Sequence, residues 1–162
     1  MRALIEPLAV GFHAAMQGGA RIGQTAVVMG AGCIGLVTMM ALKAMGVSKV
    51  YVVDIMEKRL AKAMELGADG VINGSKTDAV EEVRKLTEGK GCDLALDKEL
   101  TFKTVFRYRH IYPMAIDAVA AGKVNLKGIV TNVFDLDDVQ NAMDYSVNNK
   151  ADIVKSVIRI SK

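Results

Sequence analysis

The apolar positions of the chain fall into short units whose spacing switches between that of a strand and that of a helix. Residues 25–30, TAVVMG, and 49–54, KVYVVD, are continuous apolar runs too short for a helix and rich in β-branched side chains, the pattern of buried strands. Between them, residues 36–45 are apolar almost all round apart from Lys43 and stop at Gly46, which predicts a buried helix with a left-handed end. A helix is also expected over 7–17, where Leu8, Phe12, Ala15 and Met16 recur at helical spacing between Pro7 and Gly18-Gly19.

The same alternation continues downstream. In residues 56–68, Met56, Leu60, Ala61 and Met64 are expected to face a core while Glu57, Lys58, Lys62 and Glu65 face water, and Gly67 closes the helix. A small strand at 70–72 precedes a helix that Asp78 opens with Glu81 three positions on, a capping pair, and that ends near Gly89. Residues 92–96, CDLAL, read as a fourth strand. Strand and helix in this order predict an α/β fold with parallel strands and right-handed crossovers, a doubly wound, Rossmann-like sheet.

Beyond Asp97 the rhythm changes. Residues 100–106 read as a strand, 113–121 as a helix stopped by Gly122, and 128–134 as a strand or extended segment. Asp135 is expected to cap a helix with Val139, Ala142, Met143 and Val147 inward, and 153–160 are strand-like in residue type.

Composition narrows the picture. The 162 residues, 51% hydrophobic and 24% charged, suit one globular domain. A net charge of +3 with interleaved signs speaks against nucleic acid, and FRYRH at 106–110 is too short and isolated to reverse that. Residues 26–45 have transmembrane length but carry Gly30, Gly32, Gly35 and Lys43 and lack flanking anchors, so they are read as core and no membrane is expected. Cys33 and Cys92 have no nearby histidine and read as buried thiols of a reducing, cytoplasmic compartment. Most of the ten methionines are expected to fill core gaps. The opening residues show no signal peptide and read like the interior of a longer protein.

Gly30, Gly32 and Gly35 form G-x-G-x-x-G between a predicted strand and a predicted helix, and Asp54 ends the next strand about twenty residues on, the spacing of a dinucleotide fingerprint. Each glycine has a mechanical purpose: a tight turn, bare backbone against a pyrophosphate, and close helix–strand packing. The helix N-terminus adds unpaired N–H groups and partial positive charge. An ionised Asp54 accepts ribose hydroxyls and repels a 2′-phosphate, so NAD is expected over NADP, although Arg59 is placed to meet a phosphate or lie against adenine.

Residues 6–46 and 52–69, with Glu6-Pro7, the glycine fingerprint, Asp54 with Arg59 five places on, and the Gly67-Ala68-Asp69 exit, resemble the sorbitol and xylitol dehydrogenases of the zinc-dependent medium-chain superfamily. TFKTVFRY at 101–108 and the segment 128–145 resemble the closing part of the same proteins' cofactor domain. The resemblance implies hydride transfer from a polyol's secondary alcohol to NAD with a catalytic zinc. It also implies NAD contacts at Gly30, Gly32, Cys33, Ile34, Gly35, Asp54, Arg59 and Phe106, catalytic roles for Arg107 and Tyr108 beside the nicotinamide and substrate, Glu6 at the metal, and a homo-oligomer. The whole of 1–162 is then an NAD-binding domain, residues 1–20 being a helix leading in from a catalytic domain that this sequence does not contain.

Two departures stand out. The family's zinc ligands belong largely to that other domain, and His13 and His110 supply no substitute cluster, so the metal site is expected to be incomplete. After GCDLA the family continues through a helix and a further central strand, whereas here LDKELTFK follows at once, so one helix–strand unit, about thirty residues or more, is missing near residue 96. The chain by itself is therefore expected to be inactive. A non-enzymatic NAD(H)-sensing domain and a methyl-transfer domain remain as other readings; the short-chain dehydrogenase mechanism is disfavoured because no Tyr-x-x-x-Lys occurs.

Overall fold

The structure is a computed structural model that describes residues 4–94 and 111–160. Helix α1 (Ile5–Gln17) leads through a tight turn into β1 (Thr25–Met29), followed by α2 (Cys33–Ala44), β2 (Lys49–Asp54), α3 (Glu57–Glu65), β3 (Gly70–Asn73) and α4 (Ala79–Leu86). Then come α5 (Tyr112–Ala120), a 3-10 turn at Leu126–Ile129, β4 (Val130–Asp135), a second 3-10 turn at Leu136–Asp138, α6 (Val139–Asn148) and β5 (Lys155–Arg159).

All strand pairs are parallel. β1 pairs with β2 in the register Thr25–Lys49 to Met29–Val53, and β2 pairs with β3 from Tyr51–Gly70 to Asp54–Asn73. A single parallel bridge, Ala26 to Leu94, lies on the other side of β1, with Val27 N–H donating to the Leu94 carbonyl at 3.0 Å. The spatial order is thus β3, β2, β1 and then the segment at Leu94. This reversal after β3 is the doubly wound arrangement, and it puts the crossover helices on both faces of the sheet.

Side-chain alternation along β2 reports the two faces. Val50 and Val52 join the main core with Leu36, Val37, Met39 and Ala63 of α2 and α3. Val53 instead packs with Ile72 and Val83 of α4 in a second, smaller core. Helix α1 lies along α2, and Gly11 permits the approach: a Cβ there would sit 2.8 Å from the Val37 carbonyl oxygen.

Three aspartates tie the strands to their loops. Asp69 accepts from Val50 N–H at 2.7 Å and from Lys43 Nζ at 2.8 Å, and Asp93 accepts from Thr25 N–H at 2.8 Å. The third is Asp54. The Asp78 carboxylate accepts from Glu81 N–H at 2.9 Å, the cap expected for α4.

Several sequence expectations require correction. Helix α2 begins at Cys33, earlier than position 36, because the glycine turn itself starts it. In α3 the inward residues are Leu60 and Ala63; Ala61 and Met64 face water, since the helix lies close on β2 and β3 and a small residue fits that contact. In α6 only Ala142 is buried, while Val139, Met143 and Val147 are 43%, 66% and 63% exposed: the apolar stripe is real, but among the described residues nothing covers it. The methionines divide similarly, with Met39 and Met40 buried and Met16, Met29, Met64, Met114 and Met143 exposed. Both thiols are half-buried and neither joins a disulfide. The strand expected at 92–96 is seen only as the Leu94 bridge, and that expected at 100–106 lies outside the described residues. Among the described residues the last strands do not join the first sheet; β4 and β5 pair with each other around α6.

Burial opposes ionisation of Asp69, but the bonds from Lys43 and Val50 and the charges of Lys43 and Lys49 outweigh it and hold its carboxyl below the ordinary range. A depressed carboxyl stabilises the fold above the unfolded value of about 3.9 and loses that contribution as pH falls through the folded value. Asp69→Asn should therefore cost about 1–2 kcal/mol in urea unfolding at pH 7, and the difference from the parent chain should shrink below about pH 3.5. A difference independent of pH would exclude this role.

Candidate functional site

The polypeptide leaves β1 through Gly30, whose φ of +98° suits glycine and strains any other residue. Gly30 N–H still donates to the Val53 carbonyl at 2.7 Å, so the turn remains tied to β2. Gly35 is a steric requirement: a Cβ there would lie 1.8 Å from the Gly30 carbonyl oxygen. Between them Gly32 is the N-cap of α2, with φ −76° and no side-chain capping bond, and a Cβ on it would meet nothing within 4 Å. The first intrahelical bond runs from Leu36 N–H to the Gly32 carbonyl at 2.9 Å. The N–H groups ahead of it, at Cys33, Ile34 and Gly35, have no partner within the helix and point out of its positive end.

Asp54 closes the arrangement from β2. Its Oδ2 accepts from Ala31 N–H at 2.7 Å and its Oδ1 from Met56 N–H at 2.8 Å. Burial alone would raise the carboxyl, but the backbone N–H groups of Ala31, Met56 and Ile55, with the charge of Arg59, pull it below the ordinary range. It is an anion at neutral pH. Each carboxylate oxygen can accept twice, so both keep capacity for a ligand hydroxyl.

Two depressions meet at Met29 and Gly30. One, about 660 Å³, runs along the side of β1 away from β2 and is lined by Gly30, Gly32, Cys33, Ile34 and Gly35. The other, about 650 Å³, is lined by Gly30, Asp54, Met56 and Arg59, with Lys150 and Ala151 on its far wall. The seven described positions predicted to touch a cofactor therefore border one continuous track. It is concave, bare of side chains at the turn, and offers donors at one end and a carboxylate at the other, which fits the pyrophosphate and a ribose of a dinucleotide.

The remaining predicted residues are placed differently. Phe106, Arg107 and Tyr108 lie outside the described residues. Glu6 is exposed in the first turn of α1, close enough to Cys33 to help raise its thiol, and among the described residues no group of three or more His, Cys, Asp or Glu converges on a metal position. The described residues do not make a zinc site. Burial is the main cause that raises the Cys33 thiol, opposed by the charge of Lys155, so Cys33 is a neutral thiol and not a thiolate at neutral pH.

Lys155 and Lys150 were not legible in the sequence. Lys155, the first residue of β5, brings a cation to the glycine turn from 122 positions downstream, and Lys150 lines the depression beside Asp54. Neither has a local motif. Only the tertiary return of the chain brings them here.

Residues 33–107 match the family described as zinc-binding dehydrogenase. The chain is 39% identical to an uncharacterised zinc-type alcohol dehydrogenase-like protein of Escherichia coli, covering 98% of this chain and 57% of that protein. It is 35% identical to human sorbitol dehydrogenase over 88% of this chain and 52% of the enzyme. Among solved structures, an Escherichia coli oxidoreductase/dehydrogenase of unknown specificity superposes with a TM-score of 0.87 at 37% identity, covering 98% of this chain and 57% of that one. The 2R,3R-butanediol dehydrogenase of Bacillus subtilis superposes with a TM-score of 0.83 at 26% identity, covering 98% and 57%. The chain spans about half the length of the curated relatives it matches. The first alignment runs over 198 positions against the 162 residues of this chain, an excess of 36, in keeping with a missing helix–strand unit.

The two inner glycines separate fold from site. Gly35→Ala should destabilise the chain by about 3 kcal/mol, because backbone must shift to admit the methyl. Gly32→Ala should cost within about 1 kcal/mol, the difference between cap residues. Thermal unfolding of the two variants checks this; equal losses would contradict the geometry.

Proposed function

The chain belongs with the zinc-type alcohol and sorbitol dehydrogenases, and from that premise we propose that it is the NAD-binding part of a polyol dehydrogenase of the sorbitol or xylitol type. The parent reaction moves hydride from a secondary alcohol to the nicotinamide ring. The observation that carries this reading is the ionised Asp54 carboxylate, fixed by Ala31 and Met56 beside a glycine turn whose helix lacks a side-chain cap.

Each group has a distinct task. The N–H groups at the start of α2, assisted by Lys155, hold the pyrophosphate and neutralise its charge. Gly32 lets the phosphates approach bare backbone. Asp54 accepts the ribose hydroxyls and disfavours a 2′-phosphate, so NAD is taken in preference to NADP, and Arg59 borders the adenosine. Bound NAD supplies the hydride acceptor; this chain positions it. Phe106, Arg107 and Tyr108 are proposed on the nicotinamide and substrate side. Zinc and Glu6 belong to the parent chemistry, and the described residues supply no donor set for the metal. No helix among the described residues is long and apolar enough to cross a membrane. A cytoplasmic homo-oligomer completes the proposal.

Calorimetry with NADH and NADPH tests it. The chain should bind NADH more tightly than NADPH, and Asp54→Ser should weaken NADH binding about tenfold to a hundredfold, the loss of one charge-assisted bond or more, with a smaller effect on NADPH. NADH binding should hold as pH falls to about 4 and decline only below it, since a carboxyl with a lowered folded value stays ionised past the usual 3.9. Equal losses for both cofactors, or no NADH binding, would overturn the reading. The chain alone is expected to bind cofactor without oxidising sorbitol or xylitol; turnover of either by the purified protein would refute that part.

A further inference from the structure

The depression beside Asp54 has two walls from distant parts of the sequence. One comes from the end of β2 and the start of α3; the other is the strap between α6 and β5, through Lys150 and Ala151. Two contacts hold the strap to α3. Arg59 Nη2 donates to the Lys150 carbonyl at 3.1 Å, and Lys58 Nζ pairs with the Asp152 carboxylate. These join residues 91 and 94 positions apart. Arg59 Nε is buried and, among the described residues, has no hydrogen-bond partner; its Nη2 holds the strap while its charge also acts on Asp54.

We propose that Lys58 and Asp152 are positioning residues of the adenosine subsite: their ion pair clasps the strap to α3 and keeps the outer wall of the depression in place. This rests on the NAD-binding reading above. Neither side chain lines the depression, so they act through the strap and not on the ligand. Beyond the strap the chain enters β5 at Lys155, whose charge reaches Cys33, so a strap held at α3 also fixes where that cation enters the site. Both partners of the clasp are well exposed, at 71% and 46%, so the pair is open to screening by salt.

The test measures NADH dissociation by stopped flow, with hydrogen exchange of 149–154 in the same samples. In Lys58→Gln and Asp152→Asn, dissociation should quicken by about two- to fivefold, the scale of an exposed ion pair, and strap exchange should accelerate to a similar degree. Raising the salt should speed release from the parent chain more than from either variant. The charge-swapped pair, Lys58→Asp with Asp152→Lys, should restore slow release and slow exchange, which a general loss of stability would not. If the parent chain binds NADH but the single variants release it and exchange the strap at the parent rate, the clasp is refuted while the cofactor reading stands. If the parent chain does not bind NADH, both fall together.

Discussion

A carboxylate held ionised by backbone N–H groups organises this site. Asp54 stands at the end of β2, where burial works against its charge, yet it receives two backbone N–H groups from different elements, Ala31 in the turn after β1 and Met56 at the entry to α3. Those bonds favour the anion and at the same time fix the turn, because Ala31 lies between the glycines that define it. Remove the charge and the spacing between the β1 turn and the α3 entry loses its tie. The feature proposed to read ribose is therefore also the one that sets the shape of the pyrophosphate cradle.

The device recurs at the other end of the same strand. Asp69 accepts from Val50 N–H near the start of β2 and from Lys43 in the last turn of α2, so the central strand is pinned by a carboxylate at each end. Asp93 treats the start of β1 likewise through Thr25 N–H. A parallel sheet leaves backbone groups unpaired where its strands begin and end, and short acidic side chains from the following loops satisfy them. Against burial, backbone N–H groups lower the Asp54 carboxyl, whereas at Asp69 the Lys43 side chain leads with Val50 N–H beside it; of the two, Asp54 lines the depression.

What could be read from the sequence was what local geometry dictates. The glycine turn, the acid after the second strand and the Asp78 cap each act within a few residues or at a fixed offset, and the structure places them as the spacing required. The inward faces of α3 and α6 depended on partners that periodicity does not identify. Met64 fits the period of α3, yet it is exposed while Leu60 and Ala63 take the inward contact. The stripe of Val139, Met143 and Val147 has helical spacing, but spacing says nothing about what lies opposite it. Lys150 and Lys155 reach the site only because β4 and β5 form a separate pair whose connection returns over α3, an arrangement no local signal announces.

That separate pair stands apart from the first sheet among the described residues. In a doubly wound fold each later strand is added beyond the fourth, and the alignment with the Escherichia coli relative holds 36 more positions than this chain has residues. Among the described residues, the outer side of β1 is bonded by Asp93 and Leu94, and the next strands pair with each other instead of extending the sheet. The track bordered by the glycine turn and Asp54 draws on β1, β2, their connections and the returning strap, with α1 and Leu94 also lining the depression along β1. The turn after β1, the end of β2 and the entry to α3 are fixed by hydrogen bonds among themselves, and none of those bonds calls on a fifth or sixth strand. The geometry around Asp54 is therefore self-contained among the described residues.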